Sequence, residues 1–318
     1  MDITGSHDKF FKEIFSNKEN AAGFLRGTLP ENISENIDFT TLKADNTSYI
    51  DEELQEIFSD LVFDVQYRAD TKIKIAILIE HKSFIPKYPH IQILKYILKI
   101  WESNIKQKQD LVPVVPMLFY AGKEKWTHRS FREYFEGIDE ELLFYQPVFE
   151  YLLMDISQKS DREIAQMYEI FDVRVALLTM KKIFEDIQNF SNFAVIFTGL
   201  DDLELTERRR NFLASILRYI ISNVDIDHKI IIEEITKVST KGGEIAMTTA
   251  TRLIQQGIQE GMQQGMQQGV QQGILEGKKE DVAKLYQKGK FSFEMIAELL
   301  ELNLDFVKQT LKEKKLIN

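Results

Sequence analysis

The most restrictive stretch of this 318-residue chain runs from Phe58 to Ser83. Residues 57–67 and 73–81 read as two strands on either side of a short polar break, Ala69-Asp70-Thr71. Written as an antiparallel hairpin centred on Asp70, the odd-numbered face pairs Leu61 with Ile79, Phe63 with Ile77, Val65 with Ile75 and Tyr67 with Ile73. Every partner is apolar, so that face is expected to be buried. A slip of one residue would mix the two faces, which specifies the parity. The even-numbered face then carries Asp60 opposite Glu80, Val62 opposite Leu78 and Asp64 opposite Ala76, with Lys82 just beyond Glu80.

Directly opposed residues have Cβ atoms about 5 Å apart, and like charges there are destabilising. A divalent cation gripped by Asp60 and Glu80 removes that conflict. Oxygen ligands, with no cysteine and no histidine pair, point to Mg²⁺ or Mn²⁺ rather than Zn²⁺. The neighbouring ammonium of Lys82 could orient a water or stabilise charge developing on a phosphoryl oxygen. Cation, carboxylates and lysine together suit phosphodiester hydrolysis. Asp64 shares the face and is the second-rank ligand, roughly 13 Å further along at 3.3 Å per residue. The charges alone also fit two solvated strand ends, or a carboxylate pair for glycoside hydrolysis. Lys82 and the lack of an aromatic-rich sugar cleft in the pattern disfavour the last. His81 has odd parity and is expected on the buried face as a structural residue.

Elsewhere, residues 7–26 read as one helix capped by Ser6 or Asp8. Residues 90–106 read as another, with Ile91, Leu94, Leu98 and Ile105 on one stripe and Ile93, Ile97, Ile100 and Trp101 widening it. Residues 111–120 read as a buried strand whose Pro113 and Pro116 argue for an edge or bulged position. Residues 160–240 are mostly helical by pattern, so an α/β first half is followed by helices. Hydrophobic residues make up 44% of the chain, enough for a sizeable core. The absence of cysteine excludes disulfides, thiolate metal sites and a thiol nucleophile. The polar, acidic start Met1–Asp8 does not read as a signal peptide, and no apolar run is long enough for a membrane span, so a cytoplasmic location is expected. With a net charge of −10, a polyanionic partner must find a local basic patch.

From 256 to 277 glycine recurs at every fourth position, Gly257 to Gly277, each followed by Ile258, Met262, Met266, Val270 or Ile274 up to the last. A helix turns every 3.6 residues, so this stripe creeps around the axis, and each helical glycine costs roughly 1 kcal/mol against alanine. The segment reads either as a partly flexible linker or as a self-association helix whose glycine row lets another backbone approach. Beyond it, Lys279–Tyr286, Phe293–Leu300 capped by Ser292, and Phe306–Lys314 capped by Asp305 form a small unit resembling a helix-turn-helix.

Asp60 followed by Glu80-His81-Lys82 resembles the Asp…Glu-X-Lys signature of the PD-(D/E)XK nuclease superfamily. Around it, His7-Asp8-Lys9-Phe10-Phe11-Lys12, Ser59-Asp60-Leu61-Val62, Leu78–Ser83, Ile93-Leu94-Lys95-Tyr96 and Val114–Trp126 occur in the order found in the Rpn family of recombination-promoting nucleases, also called YhgA-like transposase-type proteins. The resemblance covers roughly residues 5–240, and the glycine-glutamine segment and small C-terminal unit look like tails seen in that family. It implies a restriction-endonuclease-like mixed sheet flanked by helices, Mg²⁺-dependent DNA endonuclease activity and a bacterial cytoplasmic setting. It implies Asp60 and Glu80 as metal ligands and Lys82, where many relatives have Gln, as the residue acting on the attacking water. On the following helix it implies DNA contact by Gln92, where relatives often have Arg. Tyr96 lies one turn on, and Lys95 lies beside it. Asp8 and Glu13 on the first helix are candidate supporting residues. Tyr120-Ala121-Gly122 and Trp126 match a loop expected to stabilise the fold.

The expected organisation is a nuclease-like core at 1–160, a helical extension at 161–250, the repeat at 251–277 and the small helical unit at 278–318. The expected function is a Mg²⁺-dependent DNA endonuclease, in recombination, mobile-element traffic or phage defence. The alternatives are a DNA-binding protein with a vestigial site and a self-associating regulatory protein, with homo-oligomers formed through 256–277.

Overall fold

The computed structural model describes residues 3–45, 58–69, 71–80, 85–122, 124–184, 193–289 and 291–317, with the backbone alone described at 3–5, 58–60, 79 and 80. The chain forms two compact units, Met1–Ala250 and Thr251–Asn318.

The first unit is built on a five-stranded mixed sheet of order β1-β2-β3-β4-β5. These strands are β1 (Ile37–Asp45), β2 (Phe58–Tyr67), β3 (Thr71–Glu80), β4 (Val114–Tyr120) and β5 (Leu152–Asp155). The first three are antiparallel neighbours and the last three parallel ones. A parallel β3–β4 pair needs a crossover, and α3 (Pro89–Lys106) lies in it. The other helices of this unit used below are α1 (Ile3–Phe15), α2 (Lys18–Thr28), α4 (Asp161–Met167), α5 (Phe171–Phe184), α6 (Glu207–Asn223) and α7 (His228–Val238).

Strand parity sorts the core into two layers. Phe63, Val65, Ile73, Ile75, Ile77, Met117 and Phe119 face the larger one, filled by α1, α2, α5 and α6. Val62, Ala76, Leu78, Leu118 and Tyr120 face the smaller one, beneath Ile93, Tyr96, Ile97 and Ile100 of α3. The buried stripe of α3 is therefore the second one read from the sequence. Ile91, Leu98 and Ile105, placed on the leading stripe, are exposed. Both stripes are apolar, so periodicity alone did not choose between them.

Three further expectations are corrected. The single helix over 7–26 is two, because the Asn17 side chain accepts the amides of Glu19 (3.1 Å) and Asn20 (3.2 Å) and starts α2 afresh. Neither Ser6 nor Asp8 caps α1, which already begins at Ile3. The strand around Pro116 is interior rather than an edge. The Lys74 amide donates to the Pro113 carbonyl (2.9 Å), so odd residues of β4 bond toward β3 and Pro116 faces the β5 side. Pairing with β5 begins only at Met117, so the missing Pro116 donor leaves no ladder bond unmade.

In the second unit, Val282, Ile296, Val307 and Leu311 form the core of a small helical cluster. It is built from the end of α8 (Thr240–Gln287), α9 (Phe293–Leu299) and α10 (Leu304–Glu313). Ser292 caps α9 as expected, but Asn303 rather than Asp305 caps α10, its side chain accepting the Asp305 amide at 2.8 Å. The repeat is continuous helix within α8, and Ile258, Met262, Met266, Val270 and Ile274 are 56–72% exposed. Among the described residues, no helix is long and apolar enough to cross a membrane.

Phe119 is 1% exposed between the sheet and the rings of Phe11 and Phe24. Phe119→Ala is expected to cost ~3–5 kcal/mol of stability, read from the urea midpoint at constant slope. A change under ~1 kcal/mol would contradict this packing.

Candidate functional site

The β2–β3 turn sets the geometry of the candidate metal centre. Tyr67 pairs with Thr71, and Arg68, directly after β2, takes a left-handed conformation at φ 55°. The hairpin is thus centred one residue earlier than expected. Asp60 lies opposite Leu78, and Glu80 opposite Phe58. Direct opposition of Asp60 and Glu80 is corrected to a diagonal relation. The shift of two leaves parity intact, so positions 60 and 80 stay on one face. Diagonal neighbours are about 7–8 Å apart, within reach of long side chains. Two carboxylate-bearing positions so related, with oxygen as their only donor type, fit a hard divalent cation. The side chains of Asp60 and Glu80, and the whole of Lys82 and His81, lie outside the described residues. Among the described residues no group of three His, Cys, Asp or Glu could hold a metal ion.

Glu80 ends β3 beside Tyr120, which ends the parallel strand β4. The candidate centre therefore lies where α/β sheets commonly place ligands, outside the carboxyl ends of parallel strands. The adjoining loop is well tied. The Trp126 amide donates to Asp155 Oδ2 at 3.0 Å, while Asp155 Oδ1 accepts the Ser157 amide at 3.0 Å. Trp126 packs edge-on against Tyr120, with ring centroids 5.1 Å apart. At Gly122 an added Cβ would fall 2.1 Å from the Tyr120 hydroxyl, so glycine is required there.

The second-rank residues have other engagements. Asp64 faces Lys74 across the ladder, and the Lys74 ammonium lies 2.8 Å from Asp64 and 2.6 Å from Asp45. Burial alone would lower the pKa of Lys74, but its hydrogen bonds to Asp45 and Asp64 outweigh that and raise it. Asp64 is part of a clamp across β1, β2 and β3, which corrects its reading as a competing ligand. Glu13 accepts from Ser215 and pairs with Arg218 at 3.4 Å, holding α1 to α6. Asp8 lies on the same helix, and burial pushes its carboxyl up to about 7 against the pull of Lys12. The core face of α1 packs on the odd side of the sheet, opposite the side of positions 60 and 80. On α3, Lys95 is exposed and Gln92 half-buried. Tyr96 is wholly buried under the sheet, so it does not share an open groove with Gln92, and that expectation is corrected.

The sequence reading missed a basic cleft of about 420 Å³ lined by the segments that follow β3 and β4 in the chain. Ile85, Lys87 and Pro89 line one side, and Lys125, Arg129 and Tyr134 the other. Isolated cations in loops carry no periodic signal, and only the fold brings these together. Behind the cleft, His90 is fully buried and its Nδ1 lies 3.0 Å from the Tyr134 hydroxyl.

Burial lowers the His90 pKa from 6.5 to about 4, helped by His128 and opposed by Glu133. The unfolded chain therefore binds the extra proton between those values, and this residue's contribution to stability is lost as pH falls through that window. His7 behaves likewise and Asp8 with opposite sign. Both are common to wild type and a His90→Phe variant, so the comparison isolates His90. From pH 6.5 to 4.5 the urea midpoint of His90→Phe should fall less than that of wild type. Parallel pH profiles would contradict a neutral buried His90.

Residues 5–211 match the family model described as "Putative transposase, YhgA-like". The chain is 30% identical over 258 residues to the "Inactive recombination-promoting nuclease-like protein RpnE" of Escherichia coli K12, covering 79% of this chain and 82% of that one. It is 28% identical over 253 residues to "Recombination-promoting nuclease RpnA" of the same strain, covering 79% and 84%. To "Recombination-promoting nuclease RpnD" of Escherichia coli O157:H7 it is 29% identical over 179 residues, 55% and 65% of the two chains. No solved structure matches.

Proposed function

The chain belongs to the YhgA-like transposase family, and from that premise we propose that it is a Mg²⁺-dependent DNA endonuclease of the bacterial cytoplasm, acting in recombination or defence against mobile DNA. Relatives named as recombination-promoting nucleases support the reaction class. The observation that carries the reading for this chain is the β2–β3 register, with acidic positions 60 and 80 diagonal on one face at the carboxyl end of β3.

In this reading Asp60 and Glu80 hold Mg²⁺, with Mn²⁺ as a substitute. When bound, the ion supplies Lewis-acid stabilisation of phosphoryl charge and a more acidic water. Lys82 orients the attacking water by hydrogen bonding and offsets negative charge as the phosphorus gains a fifth oxygen. Gln92 and Lys95, near the start of the following helix, contact the DNA backbone. The Trp126–Asp155 loop fixes the strand ends from which these groups project.

Asp60→Ala should reduce Mg²⁺-dependent nicking of supercoiled plasmid at least ~100-fold, as expected for losing several kcal/mol of transition-state stabilisation. Equal nicking by wild type and variant would remove Asp60 from the mechanism.

A second reading, a DNA-binding protein with a vestigial site, is favoured by the relative named inactive, which matches over 79% of this chain. Gel shifts separate the two. Binding that survives EDTA, without cleavage under Mg²⁺ or Mn²⁺, supports the second. The proposal also includes self-association through 256–277, supported by the exposed apolar row on α8. Light scattering should show a smaller assembly for a chain ending at residue 255 than for the full chain, beyond the lost residues' own mass. An unchanged assembly number would count against it.

A further inference from the structure

We propose that the cleft lined by Lys87, Lys125 and Arg129 binds the phosphodiester backbone of the DNA strand that runs to the candidate cleavage centre. The inference rests on the nuclease reading for its choice of DNA among phosphorylated ligands, and extends it to residues to which the sequence reading assigned no role in binding.

Three observations carry it. First, the cations lack salt-bridge partners. None of Lys87, Lys125 and Arg129 forms an ion pair among the described residues, in a chain of net charge −10. Two nearby carboxylates bond other groups rather than these cations. Glu133 accepts the Ser130 amide at 2.9 Å, and Glu150 lies 3.6 Å from His128. Cations converging on a concave surface without ion-pair partners create a local potential that a polyanion relieves.

Second, the walls are built. Tyr134 is held from behind by the fully buried His90 and meets Tyr88 edge-on, with centroids 5.3 Å apart. The Lys87 ammonium sits 5.0 Å over the Tyr88 ring. Lys87 is thus carried by an aromatic surface, and the cleft volume of about 420 Å³ lies in the range of ligand sites.

Third, the place is right. Lys87 follows β3 and Lys125 follows β4, whose last residues Glu80 and Tyr120 are paired neighbours. Both cations therefore lie on the segments that follow the strand ends at which position 80 lies. Pro89, the first residue of the 18-residue helix α3, lines the cleft as well, so the positive end of that helix adds to the same field.

The test is fluorescence anisotropy of a labelled 20-base-pair duplex, in EDTA so that nothing is cut, between about 50 and 200 mM salt. The full-length triple variant Lys87→Gln/Lys125→Gln/Arg129→Gln is compared with a control of equal charge change, Lys106→Gln/Arg210→Gln/Lys229→Gln. Each phosphate contact contributes about 0.9 to the slope of log affinity against log salt. The cleft variant should lose about 2–3 from that slope and bind more than tenfold more weakly at 50 mM salt. The control should keep the wild-type slope. Lys125→Gln alone should lose about 1, which protects the test should the triple variant fold poorly. Wild-type affinity and slope in the cleft variants would overturn the proposal, as would equal losses in cleft variant and control. Wild-type cleavage is scored separately with Mg²⁺ and Mn²⁺. A protein that never cuts, yet loses its slope with the cleft residues, would sink the nuclease reading and keep the cleft.

Discussion

The strict alternation of the β2–β3 hairpin is the constraint on which the site depends. Its odd positions are consumed by the larger core, where Phe63, Ile75 and Ile77 sit against the helices of that layer. A one-residue slip would place Asp64 and Lys74 in that core and expel Phe63 and Ile75. Burying charges in apolar surroundings costs several kcal/mol each, so the register is held by energies far above thermal noise. Positions 60 and 80 inherit their common face from that large apolar surface rather than from any interaction of their own.

The same logic explains why the polar elements at the two ends of the hairpin behave differently. At the turn end of the sheet, Lys74 draws Asp64 and Asp45 into a clamp that joins three strands. This arrangement pairs each of its charged groups with an opposite one. At the other end the strands stop, α3 begins, and cations from the loops after β3 and β4 converge without partners among the described residues. One end holds its charges in ion pairs, and the other is the end at which the proposed anionic ligand would bind. That asymmetry separates a stabilising cluster from a binding surface more clearly than residue type does.

Much of this was legible in the sequence, for reasons that differ by residue. Parity was readable because Leu61, Phe63, Val65, Ile73, Ile75 and Ile77 are all apolar. The exact pairing was not, because it turned on whether Arg68 would enter the left-handed region and tighten the turn, so that β3 begins at Thr71 rather than at residue 73. Tyr96 was ambiguous because a tyrosine on a helix suits both a groove and a core, and only α3's rotation decided for the core. Pro116 misled because the rule against proline inside sheets assumes neighbours on both sides, whereas β5 is short. The cleft cations were invisible because Lys87, Lys125 and Arg129 meet only through the β3–α3–β4 crossover.

The central claim is that acidic residues 60 and 80 grip one divalent ion. Its most direct test is Mn²⁺ titration followed by electron paramagnetic resonance, with wild type, Asp60→Asn and Glu80→Gln at equal protein concentration and confirmed folding. The account predicts one saturable site in wild type that both substitutions weaken at least tenfold, and that Mg²⁺ displaces. Binding unchanged by either substitution, or lost in one and intact in the other, would contradict a shared ion.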